Sequence, residues 1–225
     1  MVKSHKQQRL ALSRAISHAR EDFVVSPSNA EAVAVLDAWP AWPGGLLTLV
    51  GPAGSGKTHL ARAWVKRAGA AVLAPGDRDI ARLRGRPVLY EDADRRSGDE
   101  TLFHLINMAG GAASLLLTAR LAPRLWSTDL ADLRSRLDAL PLTRIGPPDD
   151  AVLEGVLRKL FRERNIKPPD DVLAYLIRRI ERSVPSVKDV VCRIDDLADA
   201  EKRDITRALA REILDPEDAT LDLFD

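Results

Sequence analysis

The sequence predicts an α/β protein in which a parallel sheet is followed by a block of helices. Short apolar runs at 46–50, 70–73, 87–90, 114–118 and 140–145 alternate with helix-like segments, the rhythm of strands joined by crossover helices. The first run feeds a glycine-rich turn and then the start of a helix. From Pro147 onward the strand signal stops and apolar residues recur only at helical spacing. At 225 residues and 45% hydrophobic content, the chain can bury one good core or one core and a small satellite.

Residues 1–19 read as a flexible basic arm, 20–146 as the α/β base, 147–214 as a helical lid and 215–225 as an acidic tail. In the base, the turn formers Ser26, Pro27, Ser28 and Asn29 can start a helix through Leu36, and the Trp39 to Gly45 stretch breaks the chain before the first strand. In the helical block, Leu153, Val156, Leu157, Leu160 and Phe161 form one apolar stripe. Pro168 and Pro169 open a second helix with Leu173, Leu176, Ile177 and Ile180. Ser186 can cap a third with Val187, Val190, Val191 and Ile194, and Ile205, Leu209 and Ile213 stripe a fourth.

The turn after the first run is the part of the chain with the most chemistry. Phosphate oxygens need several donors converging at short range, and a turn free of side-chain bulk lets backbone N–H groups supply them at a helix N-terminus. Gly51, Pro52, Ala53, Gly54, Ser55, Gly56, Lys57 and Thr58 satisfy the pattern G-x-x-x-x-G-K-[ST]. The pattern assigns Lys57 to the β and γ phosphates and the Thr58 hydroxyl to Mg²⁺. His59 follows directly, where a structural or nucleotide-adjacent role is expected rather than metal binding.

Three further positions complete a nucleotide site. Glu91 and Asp92 end the third apolar run, where acids hold Mg²⁺ and orient the attacking water; Glu at the metal position is one methylene longer than Asp. Thr118 ends the fourth run, in a place where a polar side chain senses the γ-phosphate or serves local hydrogen bonding. Arg136, just before the last run, can lie at the edge of the base as a surface charge, or as a finger that stabilises charge on a nucleotide held by a neighbouring subunit.

Composition sets the outer bounds. A net charge of +1 argues against a broad nucleic-acid footprint. The ends differ in sign, with Lys3, Lys6, Arg9, Arg14 and Arg20 in the first twenty residues and Asp215, Glu217, Asp218, Asp222 and Asp225 in the tail. Cys192 is the single cysteine, so no disulfide framework is expected, and the four histidines lack metal-ligand spacing. No apolar stretch approaches the ~20 residues that span a bilayer, and a cytoplasmic protein without membrane partners is expected.

Taken together these segments resemble the DnaA family of AAA+ proteins, and within it the Hda-like branch of DnaA-related regulators. The stretch from Phe23 to Asn29, the Gly-Lys-Thr-His-Leu of residues 56–60, Glu91 to Asp94, Leu117 to Arg120 and Asp132 to Leu137 carry the resemblance. The resemblance implies an adenine pocket near Phe23, Val24, Val25 and Asn29, bound ADP or ATP with Mg²⁺, and Arg136 as a finger acting in trans. Lys188 stands where the family's lid helix places an arginine on the phosphates. Lysine keeps the charge and loses the planar fork.

The function implied is negative regulation of chromosomal replication initiation. An ADP-bound protein docked on the DNA-loaded sliding clamp would stimulate hydrolysis of ATP held by DnaA, touching DNA only through the clamp. A homodimer that hides Arg136 also fits the resemblance. Gln7, Leu10 and Leu12 read as a clamp-binding peptide at the N-terminus, and Leu221, Leu223 and Phe224 as a second candidate in the tail. The alternative reading is a self-sufficient AAA+ ATPase of the helicase- or transposase-loader type, and Glu91 and Lys188 lean against it.

Overall fold

The computed structural model describes residues 18–73, 80, 83–96, 98–110 and 113–214. Both candidate clamp peptides and all of the tail lie outside these residues. The expected α/β architecture is present. Strands β1 (Leu46–Val50), β2 (Ala71–Leu73), β3 (Val88–Tyr90), β4 (Leu115–Ala119) and β5 (Leu142–Arg144) form one sheet in the order β2-β3-β4-β1-β5. Every neighbouring pair is parallel.

The sheet is covered on both faces because the central strands are near-continuous apolar runs, whose successive side chains point to opposite faces. Leu47, Leu49, Leu89 and Leu116 meet α1 (Ala30–Asp37) and α2 (Lys57–Ala68) through Ala32, Val33, Leu36, Leu60 and Trp64. On the other face, Tyr90, Leu115 and Leu117 meet α3 (Asp99–Met108) and α4 (Ala131–Ala139) through Leu102, Leu105, Ile106, Leu133 and Leu137. The Trp39 to Gly45 stretch does more than break the chain. Trp42 stacks on Trp64 with ring centroids 5.2 Å apart, and Trp39 Nε1 donates to Ser114 Oγ at 2.9 Å. The last strand is shorter than its apolar run: β5 buries only Thr143 and exposes Leu142 and Arg144, as an edge strand does.

Helices α5 (Asp150–Glu163), α6 (Asp170–Arg179), α7 (Val184–Glu201) and α8 (Arg207–Leu214) share a separate buried cluster that includes Leu157, Phe161, Leu176, Val191, Ile194 and Leu209. Two of their starts differ from the sequence reading. Ser183, not Ser186, caps α7: its side chain accepts from Ser186 N–H at 3.2 Å. Pro185 explains the shift, since a proline in the first turn sits where no intrahelical donor is required. Ile205 lies outside α8, which starts at Arg207 with Thr206 Oγ1 accepting from Leu209 N–H at 3.3 Å.

Asp149 ties α5 to the base. Its carboxylate accepts from Val152 N–H at 3.0 Å, capping the helix, and from Ser28 N–H at 3.3 Å across the chain. Burial alone would raise its pKa, but these bonds and the Ser26 and Ser28 hydroxyls outweigh it and hold the carboxyl below its ordinary value. A depressed carboxyl contributes stability above its unfolded pKa of about 3.9 and loses it as pH falls through the folded value. Asp149→Ala is expected to cost about 1 kcal/mol at pH 7, the usual worth of an N-cap. Urea midpoints of the two proteins should then draw together below the unfolded carboxyl pKa and meet once pH has fallen through the folded one, and a gap that persists undiminished in acid would contradict this origin.

Candidate nucleotide site

The ends of β1, β3 and β4 converge on one edge of the sheet, where open α/β sheets bind ligands. Gly51 leaves β1 so close to the β5 side that an added Cβ would lie 2.5 Å from the Ile145 carbonyl oxygen. Gly54 and Gly56 have φ of +72° and +96°, the left-handed region that lets the loop curl before α2 begins at Lys57. Ser55 is buried and its hydroxyl donates to the Pro52 carbonyl at 3.0 Å, bracing the turn. Pro52 and Ala53 are exposed at its crest.

Lys57 is buried, with 8% exposure, and its Nζ donates to the Gly51 and Pro52 carbonyls at 2.8 and 2.7 Å. Burial lowers its pKa; the charges of Asp92 and Asp94 counter this and Arg120 adds to it. The ammonium is thus stored against the loop backbone. Thr58 is exposed, and its hydroxyl takes no hydrogen-bond partner among the described residues.

The loop is also a contact point with the helical block. Val184 N–H donates to the Gly54 carbonyl at 3.0 Å, and a Cβ on Gly54 would lie 2.6 Å from Ser183 Cβ. Gly54→Ala is therefore expected to destabilise the chain by about 2 kcal/mol, combining positive-φ strain with a side-chain collision. Comparing its melting temperature with that of Ala53→Gly checks this, since only the former meets the start of α7.

The acids at the end of β3 part company. Arg62 on α2 donates to Glu91 from Nη2 to Oε2 at 2.7 Å and from Nε to Oε1 at 3.3 Å. Asp92, at φ +46°, donates its N–H to Thr118 Oγ1 at 3.1 Å, and its carboxylate has no ion pair among the described residues. Thr118 is buried at 2% exposure in β4 and so joins the two strand ends. Asp94 accepts from Arg120 N–H and Leu121 N–H at 2.9 and 3.1 Å and fixes the turn after β4. Magnesium fits this set in part: the Thr58 hydroxyl and the Asp92 carboxylate are available, whereas each Glu91 oxygen already accepts from Arg62.

On the N-terminal side, Phe23 covers the loop, its ring 3.0 Å from where a Cβ on Gly56 would stand. His59 meets the rings of Phe23 and His18 at 5.5 and 5.4 Å, and its Nε2 lies 2.9 Å from the Ala19 carbonyl. Burial, with the positive charges of His59, Arg62 and Lys188, holds the His18 pKa below its ordinary value, and Glu91 pulls it up. Val24 packs on Gly155 of α5, where a Cβ would lie 2.7 Å from it, Val25 is exposed, and the buried Asn29 donates to the Val24 carbonyl at 3.0 Å.

Arg136 stands apart. It is exposed in the last turn of α4, with its guanidinium carbon 5.2 Å from the Phe103 ring centroid and no carboxylate partner among the described residues. Its helix is anchored by Arg134, which donates to the Arg124 carbonyl at 3.1 Å and to the Trp126 carbonyl. Sequence reasoning missed Arg62, Ser183 and His18, which reach the loop only through tertiary packing.

The sequence and the fold have known counterparts. The DnaA chromosomal replication initiator protein of Thermomicrobium roseum is 32% identical over 232 residues, covering 88% of this chain and 50% of the relative. The chain is homologous to the AAA+ region of DnaA. It spans about half the length of the curated relatives it matches. Among solved structures, domain III of Thermotoga maritima DnaA superposes with a TM-score of 0.73 at 19% identity, covering 88% of this chain and 96% of that one. AMPPCP-bound DnaA from Aquifex aeolicus gives 0.66 at 20% identity, over 79% and 65%. No protein-family model matches the chain. Among the described residues, no helix is long and apolar enough to cross a membrane.

Proposed function

We propose that the chain is a cytoplasmic, nucleotide-binding negative regulator of replication initiation, of the Hda type, which docks on the DNA-loaded sliding clamp and stimulates hydrolysis of ATP bound to DnaA. Lys57, with the backbone N–H groups of Gly54, Ser55 and Gly56, holds the phosphates of ADP or ATP. Phe23, Val24, Val25, Asn29 and His59 form the base-proximal side, and the block α5–α8 closes over the nucleotide as a lid, with Lys188 near the phosphates. Thr58 and Asp92 would hold Mg²⁺, which when bound supplies charge neutralisation of the phosphates. Asp92 orients water and Thr118 fixes its backbone.

The observation that carries this reading is the exposed guanidinium of Arg136, held over the Phe103 ring and without a carboxylate partner among the described residues. A guanidinium stacked on a ring, with its donors not spent on a carboxylate, is suited to a nucleotide on another molecule. Clamp docking rests on Gln7, Leu10 and Leu12, with Leu221, Leu223 and Phe224 as the second candidate peptide, and DNA is touched only through the clamp. Self-association through the Arg136 face would withdraw the finger.

The test is single-turnover hydrolysis of DnaA-bound ATP in the presence of this protein, ADP and DNA-loaded clamp, with omission of each component. Stimulation that needs the clamp and is lost on replacing one of the two candidate peptides supports the reading. No stimulation, combined with turnover of free ATP by this protein alone, would put the loader-type ATPase first.

A further inference from the structure

Two acids leave β3 side by side, and the chain spends them differently. Glu91 is held by both oxygens in the fork of Arg62, a planar two-bond match that a point charge could not reproduce. The pair is partly sheltered, with side-chain exposures of 37% for Arg62 and 18% for Glu91. Asp92, one residue later, turns through a left-handed backbone and is anchored by Thr118.

We infer that Arg62 is a positioning residue that holds the Glu91 carboxylate off the magnesium station, so that the metal contributes less to nucleotide binding here than it would with Glu91 released. The inference rests on the nucleotide-binding reading of the loop. Turning Glu91 toward a metal would compete with the two charge-assisted bonds that fix its orientation on Arg62. Asp92 is then the one acid of the adjacent pair left for the metal, and the site behaves as a nucleotide-dependent shape switch rather than a metal-driven hydrolase. A nucleotide retained with little help from Mg²⁺ also suits a protein whose bound ADP sets conformation.

The experiment is calorimetric titration of ADP and of a non-hydrolysable ATP analogue into the whole chain, in excess Mg²⁺ and in EDTA, for wild type, Arg62→Ala and the double variant Arg62→Ala/Glu91→Gln. The readout is the ratio of the two affinities for each protein, so general damage to the fold cancels. Arg62→Ala should raise that ratio about fivefold, the factor set by competition with a partly exposed ion pair. The double variant should return it to the wild-type value, because the gain runs through Glu91. A ratio unchanged in Arg62→Ala, or one that stays high in the double variant, overturns the inference while nucleotide binding stands. Absence of nucleotide binding in every arm removes both.

Discussion

Arg136→Ala is expected to lower the stimulated hydrolysis of DnaA-bound ATP by about 10³-fold, while this chain's own affinity for ADP stays unchanged. The size follows from what a finger supplies: positive charge on the transferring phosphoryl group only as the transition state forms, worth about 10³–10⁵ in rate. Such a group must be charged, planar and unspent. Arg136 is exposed on the last turn of α4, stacked over Phe103 and without a carboxylate partner among the described residues. Stacking on the ring restricts the guanidinium without consuming its donors, so less freedom is lost when it engages phosphate. Arg136→Lys keeps charge but not the fork and should recover a fraction of the rate. Single-turnover rates at saturating protein separate this from weaker docking, which would shift the half-saturating concentration instead. Equal rates for wild type and Arg136→Ala would leave the finger without support.

The parts of this molecule legible in its sequence are those whose partners are near in the chain. The loop from Gly51 to Thr58 declares itself because strand, turn and helix start are contiguous, and the five strands declare themselves because each central one is apolar on both faces. Arg62 gave no signal. It sits five residues beyond Lys57 on α2, and its partner Glu91 is twenty-nine positions away, so only the packing of α2 over the end of β3 brings them together. The same holds for Ser183, whose approach to Gly54 depends on how the helical block meets the base. The start of α7 was misread because Ser186 and Ser183 are both good caps, and the proline between them decides in favour of the earlier one. Val24 against Gly155 is a further long-range contact for which hydrophobic periodicity offers no clue.

Lys57→Met should weaken nucleotide binding about 100-fold and yet leave the nucleotide-free protein as stable as wild type or slightly more so. In the free protein the ammonium is buried, bonded to two loop carbonyls, and its pKa is lowered by that burial. A lysine whose folded pKa lies below its unfolded value costs stability while charged, and the cost is relieved as pH rises through the folded pKa. Methionine keeps the apolar stem without that cost, although the Gly51 and Pro52 carbonyls lose a donor. With phosphate present the balance reverses. Charge-assisted bonds from Lys57 to phosphate oxygens contribute about 2–3 kcal/mol, so affinity for ADP should fall about 100-fold. A thermal melt with and without ADP reads both effects: the melting temperature in the absence of ADP holds or rises, and the ADP-induced increase at a fixed ADP concentration shrinks sharply. A large loss of stability in the free protein would mean that Lys57 is chiefly a structural brace of the loop, and an undiminished ADP shift would mean that the phosphates lie elsewhere.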